Sequence, residues 1–217
     1  MAYCLMGIFD VNMPLLYGEG DEEAFVRLQR ELIQKTGDES LFAWVGHKDD
    51  GNRGGWWGLL APSPYNFQNV SSISGGTAKS VFRTAPLFRR PYAMTSQGLR
   101  LDVDLEYDEG FDELISGLQS KRAQSFELIL PLDCCLREHM QSSQSEERLA
   151  LWATAHPVRG RGFVALRAYR RKLISYHEET EGPPRSVEVN GSMCRAYVAD
   201  FEGPTKRWEL YFAQIAR

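Results

Sequence analysis

Three groups of residues in this sequence are of a type and spacing that could do chemistry. The first is Gly18-Glu19-Gly20, a glycine-flanked turn just ahead of a helical pattern, where backbone N–H groups often cradle a phosphate. A bound phosphate also wants a cationic side chain, yet the neighbours are Glu19, Asp21, Glu22 and Glu23. These acids repel an anion and already complement the positive end of the helix dipole. The turn is therefore expected to be structural, its glycines permitting positive φ. The third glycine of a dinucleotide fingerprint is absent, so no nucleotide site and no cofactor is assigned.

The second group is the thiols and imidazoles. Cys134 and Cys135 are adjacent, Cys4 and Cys194 stand alone, and no C-x-x-C spacing points to a zinc site or a disulfide framework. His47, His139, His156 and His177 are scattered, without the spacing of metal ligands. Cys134 or Cys135 with a distant histidine would make a nucleophilic pair. The simpler reading puts the two thiols on opposite sides of a strand end, one of them in the core.

The third group is basic and aromatic. Between Leu149 and His177 the chain carries Arg159, Arg161, Arg167, Arg170, Arg171 and Lys172 with no acid, and Phe163, Tyr169 and Tyr176 lie among them. Such a mixture suits single-stranded nucleic acid or an acidic protein surface. Val164, Leu166 and Ala168 alternate through it, so the plainer expectation is a strand with one solvated basic face. These six cations form the candidate interaction surface. Trp56 and Trp57, set among Gly54, Gly55 and Gly58, are either an aromatic platform for a ligand or a pin holding a loop on the core, and the pin is favoured.

The elements that must position these residues follow from periodicity. Ala24, Phe25, Leu28, Leu32 and Ile33 recur at helical spacing after an acidic first turn, with Lys35 near the end and Gly37 as the stop. "SLFAWVG" reads as a short buried strand, and a loop-rich stretch follows. From Met94 the segments are strand-length. "GLRLDVDL" alternates with period two, and the nearly all-apolar "FELILPL" is expected to lie centrally, with Pro131 at a strand end or bulge. Only Asp108 to Ser120 and "CCLREHMQ" suggest helix or turn in this half. The expected class is α+β: short amino-terminal helices, then a mainly antiparallel β-sheet or sandwich. The expected divisions are a helical segment over 1–46, a loop-rich connection over 47–93 and a β-rich domain over 94–217.

Composition narrows the functions. With 217 residues and a formal charge of −4, the chain has enough apolar residues for a core and no general attraction for nucleic acid or an anionic membrane. No run approaches the roughly 18 apolar residues of a membrane span. Unpaired cysteines fit a reducing, cytoplasmic setting. The opening "MAYCLMGIFD" lacks a capping residue and reads as the middle of a buried element, so further residues upstream are expected.

"AYCLMGIFDVNMPLLYGEGDEEAFVRLQRELIQKTGDESLFAW" resembles the fungal heterokaryon-incompatibility (HET) family. There a segment of the form R-A-Y-x-L-x-G-I-F-x-V-N-M-P-x-L-Y-G-E-G, an amphipathic helix and a D-x-S-x-F-A-W strand follow the HET domain. "GLLAPSPYNF" and "YAMTSQGLRLDV" also resemble later signatures of the family, and "ELILPLDC" is more weakly similar to the strand after them. The likeness covers Ala2 to about Cys135. It implies a region downstream of the HET domain, similar to a domain of unknown function found in these proteins. The HET domain itself, similar to TIR domains and held to trigger death of fused incompatible cells, has none of its signature residues here. No catalytic residue carries over.

Two function classes follow. One is a non-catalytic accessory or interaction region of a self/non-self recognition protein, with an HET domain in cis or in trans as partner, no membrane, and no nucleic acid expected. The other is an enzyme with a cysteine nucleophile in a pocket between the Trp56-Trp57 loop and the sheet, or a nucleic-acid-binding module using the basic segment 159–172.

Overall fold

A computed structural model of the chain describes residues 2–46, 56–68, 73–75, 93–106, 125–136, 147–159, 164–177, 184–189, 191–198 and 205–212. Two helices open the chain, α1 (Ala2–Phe9) and α2 (Asp21–Thr36). The periodic residues Ala24, Phe25, Leu28, Leu32 and Ile33 are all buried, as expected of one apolar stripe. Helix α2 stops at Gly37, whose φ of 62° lets its N–H turn back to the Ile33 carbonyl, a closure that costs a residue with a Cβ much more.

The expected strand at "SLFAWVG" is instead a 3-10 turn, Glu39–Phe42, followed by an irregular segment. Asp38 causes it by accepting the Ser40 N–H at 2.9 Å, which tightens the backbone into a turn. The burial was legible all the same: Phe42, Ala43 and Trp44 are fully enclosed.

The strands are β1 (Ile73–Gly75), β2 (Ala93–Thr95), β3 (Gly98–Glu106), β4 (Phe126–Leu136), β5 (Glu147–Arg159), β6 (Val164–His177), β7 (Ser186–Val189), β8 (Ser192–Val198) and β9 (Thr205–Phe212). They pair in the order β2-β3-β9-β6-β5-β4-β8-β7, with β1 also on β4. The class is α+β with a mostly antiparallel sheet; β4–β8 and β6–β9 are the parallel pairings. In β3, Leu99, Leu101, Val103 and Leu105 face the core while Arg100, Asp102 and Asp104 face outward. Strand β4 is central, and its register with β5 shifts between Pro131 and Cys135, the irregularity a strand proline implies.

Leucines and alanines of β3, β4, β5, β6 and β9 make one large core on the inner face, against Ile33, Phe42 and Leu59. Helices α1 and α2 close a second cluster with Trp44 and Ala61. The outer face carries a smaller apolar group of Ile129, Ala150, Tyr176, Val187, Ala196 and Val198. "CCLREHMQ" is corrected in part, because Cys134, Cys135 and Leu136 belong to β4. Its remainder and the helix expected over Asp108 to Ser120 lie outside the described residues.

Candidate functional site

The Gly18-Glu19-Gly20 turn is built into the fold rather than opened toward a ligand. Gly18 has φ +88°, whereas Gly20, expected to share that freedom, sits at φ −70° as the N-cap of α2. A Cβ there would lie 2.6 Å from Glu23 Oε2, the tip of an exposed, flexible side chain that can swing aside, so neither backbone nor space demands glycine at this position. Glu19 turns back to accept from Arg27 Nη2 and from the Tyr3 hydroxyl, each at 2.5 Å. These bonds, Arg27 first, hold the Glu19 carboxyl below its ordinary range. Arg27 Nη1 also donates to the Pro14 carbonyl at 2.8 Å and the Tyr3 hydroxyl accepts from Leu16 N–H at 3.0 Å. The expected structural role is thus filled by a specific ion pair.

The thiols are arranged as the simpler reading had it. Cys134 lies in the large core and Cys135 alternates to the other side, also buried. Burial pushes the Cys134 thiol far above its usual range, and the Glu39 carboxylate nearby pushes it further. Glu39, itself buried, accepts the Asp133 N–H at 2.6 Å, so that charge is fixed in place. Trp57 is remote from this end of the sheet: it pairs with Arg170 on β6, whereas Cys135 shares its row with Arg148 and Tyr176. His47 and His139 lie outside the described residues, as does the side chain of His177.

Trp57 is the pin. It exchanges two backbone hydrogen bonds with Arg170 and packs edge-on against Trp44 at 5.8 Å. Around this point three buried polar side chains lock irregular backbone. Gln29 Nε2 donates to the Ala61 carbonyl at 2.7 Å, and Gln29 Oε1 accepts the Ala61 N–H at 2.9 Å. Asn66 Nδ2 donates to the Val45 carbonyl at 3.0 Å, and Trp44 Nε1 to the Leu59 carbonyl at 2.9 Å.

Arg170 is a fourth, and here the candidate surface is corrected. It is 1% exposed, with its guanidinium 3.8 Å from the Trp44 ring centroid, and it donates to the Phe42 carbonyl at 2.6 Å and to the Trp44 carbonyl. It belongs to the core face, not to a docking surface. Burial lowers its readiness to hold a proton well below that of an ordinary arginine, and the two carbonyls and the indole face supply the compensating negative potential. One signal was available: Leu166 and Ala168 alternate inward, and Arg170 is the next position in that series.

The remaining cations divide. Arg167 and Lys172 are exposed on the outer face, while Arg161 and the side chain of Arg159 lie outside the described residues. Between Trp152 and Ala153 the register with β5 shifts, leaving Arg171 as the extra residue of β6. That bulge brings Arg171 and Lys172 onto one side, and Arg171 lies 4.5 Å from the Trp56 ring centroid and 5.9 Å from that of Trp152. Trp56 packs on Tyr169 at 5.5 Å and His156 at 6.0 Å. Partial burial holds His156 below the usual imidazole range, only partly offset by Glu127. Glu127 is itself 7% exposed and accepts from Trp152 Nε1 at 2.5 Å and the Thr154 hydroxyl at 2.8 Å.

Among the described residues no group of three or more His, Cys, Asp or Glu side chains gathers to hold a metal, and no helix is long and apolar enough to cross a membrane. A cleft of about 400 Å³ lies between α1, α2, the 3-10 turn Glu39–Phe42 and a second one, Pro64–Phe67, walled by Leu5, Phe25, Leu32, Leu41 and Phe67.

No family model matches the chain, and no solved structure matches it. A 37-residue segment is 54% identical to vegetative incompatibility protein HET-E-1 of Podospora anserina. The match covers 17% of this chain and 3% of that protein, so the chain spans a small fraction of the relative's length.

Proposed function

We propose that this chain is a non-catalytic accessory or interaction region of an HET-type vegetative-incompatibility protein, supporting or regulating an HET domain in the same polypeptide or in another. The observation that carries the reading is the 54% identity with HET-E-1 over 37 residues. Side-chain geometry supports it. Gly18 to Gly20, Trp57 and Cys134, three of the features that invited a catalytic reading, are engaged in holding the fold.

The test is co-expression in fungal cells. The chain alone is expected neither to kill nor to hydrolyse NAD, and to co-purify with an HET domain supplied in trans; robust killing by the chain alone overturns the proposal. The competing cysteine-nucleophile reading is separated by thiol labelling of the native protein at neutral pH. Exposed Cys4 is expected to react and Cys134 to stay unlabelled until the protein is denatured. Fast, selective labelling of Cys134 would favour the enzyme instead.

A further inference from the structure

We infer that the cleft between α1, α2 and the two 3-10 turns seats an amphipathic helix of a partner protein, its apolar side chains in the cleft and a lysine or arginine beside Asp38. This rests on the reading of the chain as an interaction region and adds where the partner sits and what chemistry it presents.

Helix α1, AYCLMGIF, carries no charge on any side. A helix that is apolar all round is normally covered all round, yet Ala2 is the one fully buried residue of α1. Tyr3, Leu5 and Met6 pack against the cluster closed with α2. Past them Ile8 is 75% exposed, and Phe9, on the rim of the cleft, is 44% exposed. This side of α1 lacks a neighbour among the described residues.

The cleft has the length and lining of a helix seat. Along α2 it follows Phe25, Gln29, Leu32 and Thr36, one face over about three turns or roughly 16 Å, and Leu5 and Phe9 of α1 stand about one turn apart on the opposite wall. Apolar anchors at i, i+3 or i+4, and i+7 of an entering helix match that run. An extended peptide wants a sheet edge for its backbone hydrogen bonds, and this cleft offers side chains instead. Gln29, on its floor, spends its amide on both backbone polar atoms of Ala61.

Charge fixes one end of the partner. The cleft closes at Asp38, where the carbonyl end of α2 adds negative potential of its own. Asp38 accepts the Ser40 N–H at 2.9 Å and has no cationic partner among the described residues, while the Lys35 ammonium is held by Asp10 at 2.6 Å. A lysine or arginine on the docked helix complements this end.

The experiment is fluorescence anisotropy of the full chain with a fluorescein-labelled helical peptide bearing Leu and Phe at i, i+3 and i+7 and a lysine at each end of that stripe. A second peptide replaces both lysines with glutamate. The lysine peptide is expected to bind at low salt, roughly threefold or more tighter than the glutamate peptide. Asp38→Asn keeps an acceptor for the Ser40 N–H and is expected to shrink that preference, with a circular dichroism spectrum like the parent's. Phe9→Ala is expected to weaken the lysine peptide roughly tenfold, whereas Met193→Ala, at an exposed position on β8, leaves it unchanged. Absence of lysine-peptide binding, tighter binding of the glutamate peptide, an undiminished preference in Asp38→Asn, or equal loss in the two alanine variants overturns the inference. A chain that sediments as a dimer and is dispersed by Phe9→Ala gives the cleft to a second copy and overturns it too. If an HET domain supplied in trans still associates while the peptide fails to bind, only the helix seat is wrong.

Discussion

The two faces of β6 put the same kind of side chain to opposite uses. On the inner face Arg170 is enclosed, stacked on Trp44 and bonded to two backbone carbonyls, so that a cation serves as a rivet between the sheet and the segment after α2. On the outer face Arg167 and Lys172, three and two residues away, stand in solvent. A run of basic residues is therefore not one property of the chain. Strand alternation and one bulge sort it into structure on one side and availability on the other.

That contrast is sharpest in stability. Arg170→Met keeps the volume but strands the Phe42 and Trp44 carbonyls, and is expected to cost about 3 kcal/mol in urea unfolding. Arg170→Lys, with one ammonium for two divergent acceptors, should lose about half of that. Next comes Gln29→Leu, which leaves both polar groups of Ala61 without their partner, at about 2 kcal/mol in the same assay.

A smaller effect is a pH slope from His156. Its folded pKa lies below the unfolded value, so the unfolded chain binds the proton more readily and stability falls as pH drops through the mid-6 range toward the depressed folded value. Melting temperatures between pH 7.5 and 5 are expected to decline less steeply in His156→Gln. The smallest effect belongs to Arg167→Glu with Lys172→Glu, expected within about 0.5 kcal/mol of the parent. A large loss there would mean that the outer cations hold the fold and would erase the distinction between the faces.

The elements that bury a single clean stripe were readable in advance. Helix α2 has period 3.6 with acids at its start and Gly37 at its end, and β3 alternates without a break, so local pattern and tertiary burial agree. The 3-10 turn at Glu39–Phe42 was missed because two-sided burial looks the same in a buried strand, and only the Asp38 cap distinguishes them. The site was half legible. Its charge was plain, but the bulge at Arg171 that decides which cations face outward depends on the register with β5, and nothing local marks it. The Glu19–Arg27–Tyr3 network was hidden for a related reason: its members stand 8 and 16 residues apart, joined by a turn whose path depends on the fold.

Among the described strands β9 comes last in sequence, yet it lies between β3 and β6. Every earlier strand therefore leaves the ribosome before the two halves of the sheet can be joined, and meanwhile the nascent polypeptide shows two bare edges to its neighbours. Synthesis cut short before Thr205 would yield not a smaller working protein but a substrate for chaperones and proteases.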